Sequence, residues 1–325
     1  MSAFEHKIFA QIEPVFVLGS AELNGPAEYT AGWMQEFEEN MRIHLEKVLL
    51  TPGFPHVLSP KILVEPLAAT SAAVEALLEY ATKRDADLII VSSHGRRGLD
   101  RFFLGSFAET LLVYSKIPIL VIGAGAKIET NFNRILFPTE FGEYAHEVFR
   151  RTVSAAKQMG ASIIIYHVVP MPARIVMDTG YYPSLYGVEG EMVSREDFLK
   201  IQQEHQSLRA EAWADWAKGE GVNCSFKVES VEEAIDILIY REAVAERADL
   251  IMMEGQSGPI KVALLGSIAR NVVRTGPCPV LVFPRNALAE TEKEGEMLGY
   301  EERTPEVSDG LGLADKSSEL RDFEV

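Results

Sequence analysis

Apolar residues along this chain fall into two alternating patterns. Short continuous runs rich in Ile, Val and Leu recur: EPVFVL (13–18), KILVE (61–65), DLIIV (87–91), PILVI (118–122), RILFP (134–138), SIIIYHVV (162–169), DLIMM (249–253) and PVLVF (279–283), and the alternating CSFKV (224–228) reads as a further strand. Runs of this length without polar alternation suit strands buried on both faces of a parallel sheet. Between them the apolar positions recur at helical spacing, which predicts helices at about 28–50, 71–84, 106–115, 143–159, 194–219 and 230–247, and one from Ser267. Strand alternating with helix predicts an α/β architecture of doubly wound parallel sheets.

Self-comparison reveals a repeat. ADLIIVSSHGRRGLDRFFLGSFAETLLVYSKIPILVIG starts at Ala86, and ADLIMMEGQSGPIKVALLGSIARNVVRTGPCPVLVFP starts at Ala248. Both read strand, glycine loop, Leu-Gly-Ser, helix, Pro, strand. The offset is 162 residues before the loop and 161 after it, so the second copy is one residue shorter within the loop. The second repeat holds five predicted strands. The first holds four, because residues ahead of EPVFVL leave room only for the tail of a helix in HKIFAQ. A sheet without its central strand leaves buried backbone groups unpaired at ~1–3 kcal/mol each. Either the coding sequence starts upstream of Met1 or another segment fills the slot; the first is the favoured expectation. The expected domains are 1–124, incomplete at its N-terminal side, and 133–285, joined by a linker at 125–132.

Charge sharpens the ends of this picture. Of 325 residues 47% are hydrophobic and the net charge is −17, which argues against general binding to nucleic acid or anionic membrane. Residues 286–325 carry 12 acidic and 4 basic side chains, so this tail supplies −8 of the total and is expected to be disordered. The insert MPARIVMDTGYYPSLYGVEGEM (171–192) reads as a long loop, a lid or an interface. Cys224 and Cys278 have no disulfide-framework or zinc spacing, and read as buried thiols of a cytoplasmic protein. Neither a signal peptide nor an apolar run long enough to span a membrane is present in the sequence.

The glycine loops carry the candidate chemistry. Glycines let backbone N–H groups approach an anion, and a helix N-terminus adds partial positive charge. In the first loop Gly95 and Gly98 shape the turn, Gly105 and Ser106 open the helix, and Arg96, Arg97 and Arg101 add positive charge. Neither loop matches a Walker or a Rossmann glycine pattern.

Ser-His-Gly-Arg-x-Gly-Leu, then Leu-Gly-Ser, helix and a Pro-x-Leu-Val strand resembles the closing segment of the universal stress protein family. The resemblance covers about residues 13–124 and 133–285 and implies a tandem member. It implies two Rossmann-like five-stranded sheets of order 3-2-1-4-5, pairing through their last strands, with the first lacking its opening strand and helix. ATP-binding members share Gly-x2-Gly-x9-Gly-Ser after the fourth strand, and Pro-x-Asp closing the first. Carried over, the first domain offers Val91, Ser92, His94, Gly95, Gly105, Ser106 and Phe107 as nucleotide-binding residues, with Ser92 where the first glycine would stand. The second offers a degenerate set: Pro138, Glu140, Gly255, Gly258, Gly266 and Ser267. Glu140 replaces the family's Asp, and Glu254 and Ser257 replace the two early glycines.

The resulting expectation is a stress-response regulator or binding protein with ATP or another adenine nucleotide in the first loop, and Mg2+ only alongside bound nucleotide. A scaffold with degenerate sites is the alternative. A weak nucleotide hydrolase using Glu140 and Glu254 is the third reading. Expected partners are the two domains for each other, a further copy of the chain and an unidentified protein. His94 and His167 read as loop and packing residues, Trp213 and Trp216 as a helix packing face, and Tyr181, Tyr182 and Tyr186 as loop aromatics open to a ligand or partner.

Overall fold

The computed structural model describes residues 11–18, helical positions between 36 and 47, and residues 57–65, 69–93, 104–127, 131–142, 144–169, 195–255 and 265–284. The expected insert, the acidic tail, His94, Gly95, Gly98, the loop arginines, Ser257, Gly258 and the three loop tyrosines lie outside the described residues.

The first repeat contains β1 (Val15–Leu18), β2 (Lys61–Val64), α1 (Thr70–Lys83), β3 (Ile89–Ser92), α2 (Ser106–Tyr114) and β4 (Ile119–Ile122). The second contains β5 (Arg134–Pro138), α3 (Ala145–Met159), β6 (Ser162–Val168), α4 (Arg195–Gly219), β7 (Cys224–Glu229), α5 (Ile235–Ala245), β8 (Leu250–Glu254), α6 (Ser267–Thr275) and β9 (Val280–Phe283). Each expected strand is present to within two residues at its ends. Helix α5 starts five residues later than its apolar pattern suggests. Ala234 is extended at its N-cap, and Glu233 lies outside the helix, where it accepts a 2.6 Å ion-paired hydrogen bond from Arg241.

Seven strands form one sheet in the order β3-β4-β9-β8-β5-β6-β7. Within the second repeat every pairing is parallel and the order is β7-β6-β5-β8-β9, the doubly wound 3-2-1-4-5. The two repeats join where β4 runs antiparallel to β9, with Leu120 opposite Leu281. Both edges of β4 and of β9 are thereby used inside one chain. Strands β1 and β2 pair in parallel as a separate two-stranded sheet.

Alternate residues of β5 serve two cores, as continuous apolar strands require. Leu136 faces a core shared with α1, α2, α5 and α6, which extends under both repeats. Ile135 and Phe137 face a second core built by α3 and α4. There Trp213 stacks on Phe149 at 4.9 Å and meets Phe141 edge-on at 5.0 Å, while Trp216 lies 5.8 Å from Phe149. The two tryptophans are thus a packing face, worth about 0.5–1.5 kcal/mol per aromatic pair beyond area burial. Helix α3 ends at Gly160 with φ of 69°, a left-handed stop that glycine adopts without strain.

The repeats match in backbone detail as well as in sequence. Asp85 and Arg247, 162 positions apart, are both left-handed, with φ of 49° and 51°. The next residue then bonds back into the helix: Ala86 N–H to the Ala81 carbonyl at 3.0 Å, and Ala248 N–H to the Ala243 carbonyl at 2.8 Å. Strand β3 therefore leaves α1 as β8 leaves α5.

Candidate functional site

In open α/β sheets ligands bind beyond the carboxyl ends of the strands, where the order reverses. In both repeats the carboxyl end of the strand before the glycine loop is fixed by the same pair of hydrogen bonds. Ser93 N–H donates to the Ile122 carbonyl at 2.9 Å, and the Ser93 carbonyl accepts from Gly105 N–H at 2.8 Å. In the second repeat Gly255 N–H donates to the Phe283 carbonyl at 2.9 Å, and its carbonyl accepts from Gly266 N–H at 3.1 Å. The strand end and the helix start are thus pinned together, and the loop between them hangs from two fixed points.

Gly105 and Gly266 are the N-cap residues of α2 and α6, with φ/ψ of −62°/142° and −58°/146°. Neither helix carries a side-chain cap. The first-turn N–H groups, which have no carbonyl within the helix, therefore point out of the strand ends beside the exposed Ser106 and Ser267. Such an end accepts a phosphate oxygen chemically. Around it in the first repeat, Val91 is half-buried and packs on the core, Ser92 is exposed, and Phe107 packs beneath the helix start.

The mouth of the second repeat differs in charge and crowding. Pro138 is buried at the end of β5 and Glu140 is exposed beyond it. Since Leu136 stands opposite Ile251, Glu140 lies four residues past that pair and Glu254 three residues past it on the neighbouring strand. Two carboxylates at one strand end repel a polyphosphate. Gly255 is tightly enclosed: a Cβ there would sit 3.0 Å from Val282 Cγ1 and 3.4 Å from the Phe283 carbonyl oxygen. Among the described residues, no group of three or more His, Cys, Asp or Glu side chains is placed to hold a metal ion.

Four further residues at this mouth have no signature in the repeat pattern. Phe141, buried, adopts a left-handed φ of 53°, uncommon for an aromatic residue. Its N–H donates to Thr139 Oγ1 at 3.0 Å, and its carbonyl accepts from the Arg209 guanidinium at 3.1 Å. This bend ends β5 and leaves Glu140 outside. His167 is buried beside it, its ring 5.2 Å from Phe141, and its Nδ1–H donates to the Thr139 carbonyl at 2.7 Å. Burial holds the His167 pKa below the usual imidazole value; the Thr139 bond opposes that shift and the Arg209 charge adds to it. The Glu-Phe-Gly end of the first-strand motif hints at a turn, but Arg209 arrives from the middle of α4, 68 residues away, and carries no local signal.

Both thiols are buried, and burial pushes Cys224 and Cys278 each up to about 12. Among the described residues, no helix is long and apolar enough to cross a membrane.

Comparison with known proteins agrees with this geometry. The model of the universal stress protein family matches residues 60–123 and 131–284. A universal stress protein of Methanocaldococcus jannaschii, MJ0577, is 31% identical over 164 residues, spanning 47% of this chain and 96% of that protein. A solved universal stress protein from Archaeoglobus fulgidus shares the fold with a TM-score of 0.53 at 20% identity, over 85% of this chain and 86% of that one. A Pseudomonas aeruginosa protein of unknown function, PA1789, matches with a TM-score of 0.52 at 12% identity, over 89% and 87%. With two matched segments, a doubly wound sheet and paired last strands, the chain belongs to the universal stress protein family.

Proposed function

We propose that this protein is a nucleotide-responsive binding protein of the stress response, and that its first repeat, not its second, holds an adenine nucleotide. The observation that carries this reading is the pinned loop of the first repeat. There the uncapped start of α2 follows the Ser92-Ser93 end of β3, where the second repeat carries Glu254, and Glu109 in the first turn of α2 is ion-paired with Arg270. The nine-residue spacing from Gly95 to Gly105-Ser106 matches the pattern of ATP-binding family members, and three arginines lie in the same loop. The chain's own roles are positional: first-turn N–H groups and the Ser106 hydroxyl hold the phosphates, and Mg2+ accompanies the nucleotide as its counter-ion.

In the second repeat Glu140 and Glu254 oppose a triphosphate, so that mouth serves packing or partner contact. The proposed domains are 1–124 and 133–285, with the acidic segment 286–325 outside them, in a cytoplasmic protein whose two thiols stay reduced.

The test is mass spectrometry of small molecules released from purified protein, together with melting temperature with and without ATP. ATP is expected to raise the melting temperature of the wild type and of Gly266→Trp, and to leave Gly105→Trp unchanged. Gly105 has an ordinary negative φ, so the indole is compatible with the backbone while covering the helix start. A wild type that carries no nucleotide and shows no shift with ATP would refute the proposal and leave the scaffold reading standing.

A further inference from the structure

The joint between the repeats has two-fold geometry. Beyond the glycine loop, each residue of the second repeat stands 161 positions after its counterpart in the first. Leu120 and Leu281 are such counterparts, and they face each other across the β4–β9 ladder. On either side Ile119 faces Val282 and Val121 faces Val280. A pseudo-two-fold axis therefore runs between Leu120 and Leu281, and counterpart positions close to it meet each other. A two-fold joint is self-complementary unless its facing side chains differ.

The ladder does not tell the repeats apart. Its six residues are all Ile, Leu or Val. Two first repeats from two chains would set Leu120 against Leu120 in the same register, and two second repeats Leu281 against Leu281. The antiparallel backbone pattern is the same in every case. Any choice between like and unlike repeats falls to the helices that flank the ladder.

Those helices differ in charge at counterpart positions. Glu109 in α2 and Arg270 in α6 are 161 residues apart, and Arg270 Nε lies 2.8 Å from Glu109 Oε1 across the joint. Helix α2 carries Glu109 and no basic residue; α6 carries Arg270 and Arg274 and no acidic one. Arg274 lies one turn beyond Arg270 on the same helix face, where α2 has Val113. Its Nε is buried without a hydrogen-bond partner among the described residues. Pairing of a first repeat with a second thus sets one acid against two bases. Two first repeats would oppose Glu109 to Glu109, and two second repeats would carry four guanidinium groups on the facing helices. Glu109 and Arg270 are both part-exposed, so the pair adds little stability. Like charges at one spot still reject a wrong partner where the opposite pair adds little affinity.

We propose that Glu109 and Arg270 form a pairing key: opposite charges at two-fold-equivalent positions let a first repeat join a second repeat and reject another first repeat. The joint therefore closes within one chain, and two copies of the chain exchange repeats only as first with second. The inference stands on strand register and charge, independently of nucleotide binding.

The test uses full-length chains with the key reversed on one side, Glu109→Arg in a tagged chain and Arg270→Glu in an untagged one. Each alone has like charges at its own joint. By exchanging repeats, the introduced arginine of one chain meets the introduced glutamate of the other, while native Glu109 meets native Arg270. The chains are combined in urea and refolded together at ~0.5 mM, near the effective concentration that a short connection gives to pairing within one chain. At ~0.01 M salt, capture of the untagged chain is expected to exceed capture between tagged and untagged Glu109→Arg chains by about tenfold, since two joints pass from like to opposite charge. At ~1 M salt, where the screening length is ~3 Å, that excess is expected to disappear. A chain carrying both reversals has a complementary joint of its own and is expected to stay monomeric. A merely structural contact would change the melting temperature of the single variants and give no mixed dimer. Refolding of either single variant only in the presence of the other would support the key as well. Equal capture in the two mixtures, or none in either, would overturn the proposal and assign the choice of partner to the connection between the repeats.

Discussion

Strands β3 and β8 begin from nearly the same sequence, Asp-Leu-Ile-Ile-Val and Asp-Leu-Ile-Met-Met, and leave helices that end in the same left-handed turn. Strand β8 is buried on both faces and pairs with β5 and β9; β3 pairs with β4 among the described residues, and Ile90 on one of its faces is exposed. Local sequence decides that each is a strand, while its neighbours decide how much that strand contributes to stability. The same lesson applies to the two loops, which hang from equivalent hydrogen bonds yet differ in charge and crowding. Shared backbone geometry therefore does not imply shared ligand chemistry.

The largest effect that would break this comparison is expected in the cores. Phe137→Ala removes a buried ring that lies 5.2 Å from Phe149 and 6.5 Å from Trp213, and should cost about 3–5 kcal/mol by urea denaturation. Met252→Ala should cost about 2–5 kcal/mol, whereas Ile90→Ala, its counterpart in the first repeat, should stay within about 0.5 kcal/mol of wild type. Equal costs for that pair would mean that the exposed face of β3 is covered in solution.

Exchanging the loop residues sharpens the second half of the comparison. Gly255→Ser installs the side chain that Ser93 carries in the first repeat, but here the Cβ meets Val282 Cγ1 at 3.0 Å. A loss of about 1–3 kcal/mol in urea-midpoint stability is expected from the overpacking.

The effect of pH separates the repeats further. Folded His167 resists protonation because it is buried, so its folded pKa lies below the unfolded value of about 6.5. The stability associated with the neutral ring is complete above that unfolded value. It is lost as pH falls from there towards the folded pKa, because only the unfolded chain takes up the proton. His167→Asn should flatten this acid-side decline in melting temperature between pH 7.5 and pH 5.5; an unchanged slope would locate the decline in other groups.

The smallest effect belongs to the ion pair across the joint between repeats, where Arg270 Nε lies 2.8 Å from Glu109 Oε1 with both side chains well exposed. Glu109→Gln should change stability by less than about 1 kcal/mol, and the difference should shrink at high salt. A larger loss would show that the joint depends on this pair more than on the β4–β9 ladder.

The central strands β5 and β8 were legible because a strand buried on both faces must be apolar along its buried length, as RILFP and DLIMM show directly. The repeat was legible because its closing segment recurs almost residue for residue. Gly105 and Gly266 stand as helix N-caps where the spacing placed the helix starts. Phe141, Thr139 and Arg209 were not, because their arrangement depends on α4 meeting the end of β5.

The sequence by itself determined the elements, the repeat, the short second loop and the acids Glu140 and Glu254, all properties of local spacing and side-chain chemistry. Tertiary structure decided the antiparallel register in which the last strands β4 and β9 join the repeats, with Leu120 opposite Leu281. It also decided that His167 is buried beside a left-handed Phe141, and that β1 and β2 pair as a sheet of their own. These features rest on contacts between residues dozens to hundreds of positions apart, and hydrogen-bond pairing and burial at that range leave no periodicity in the chain.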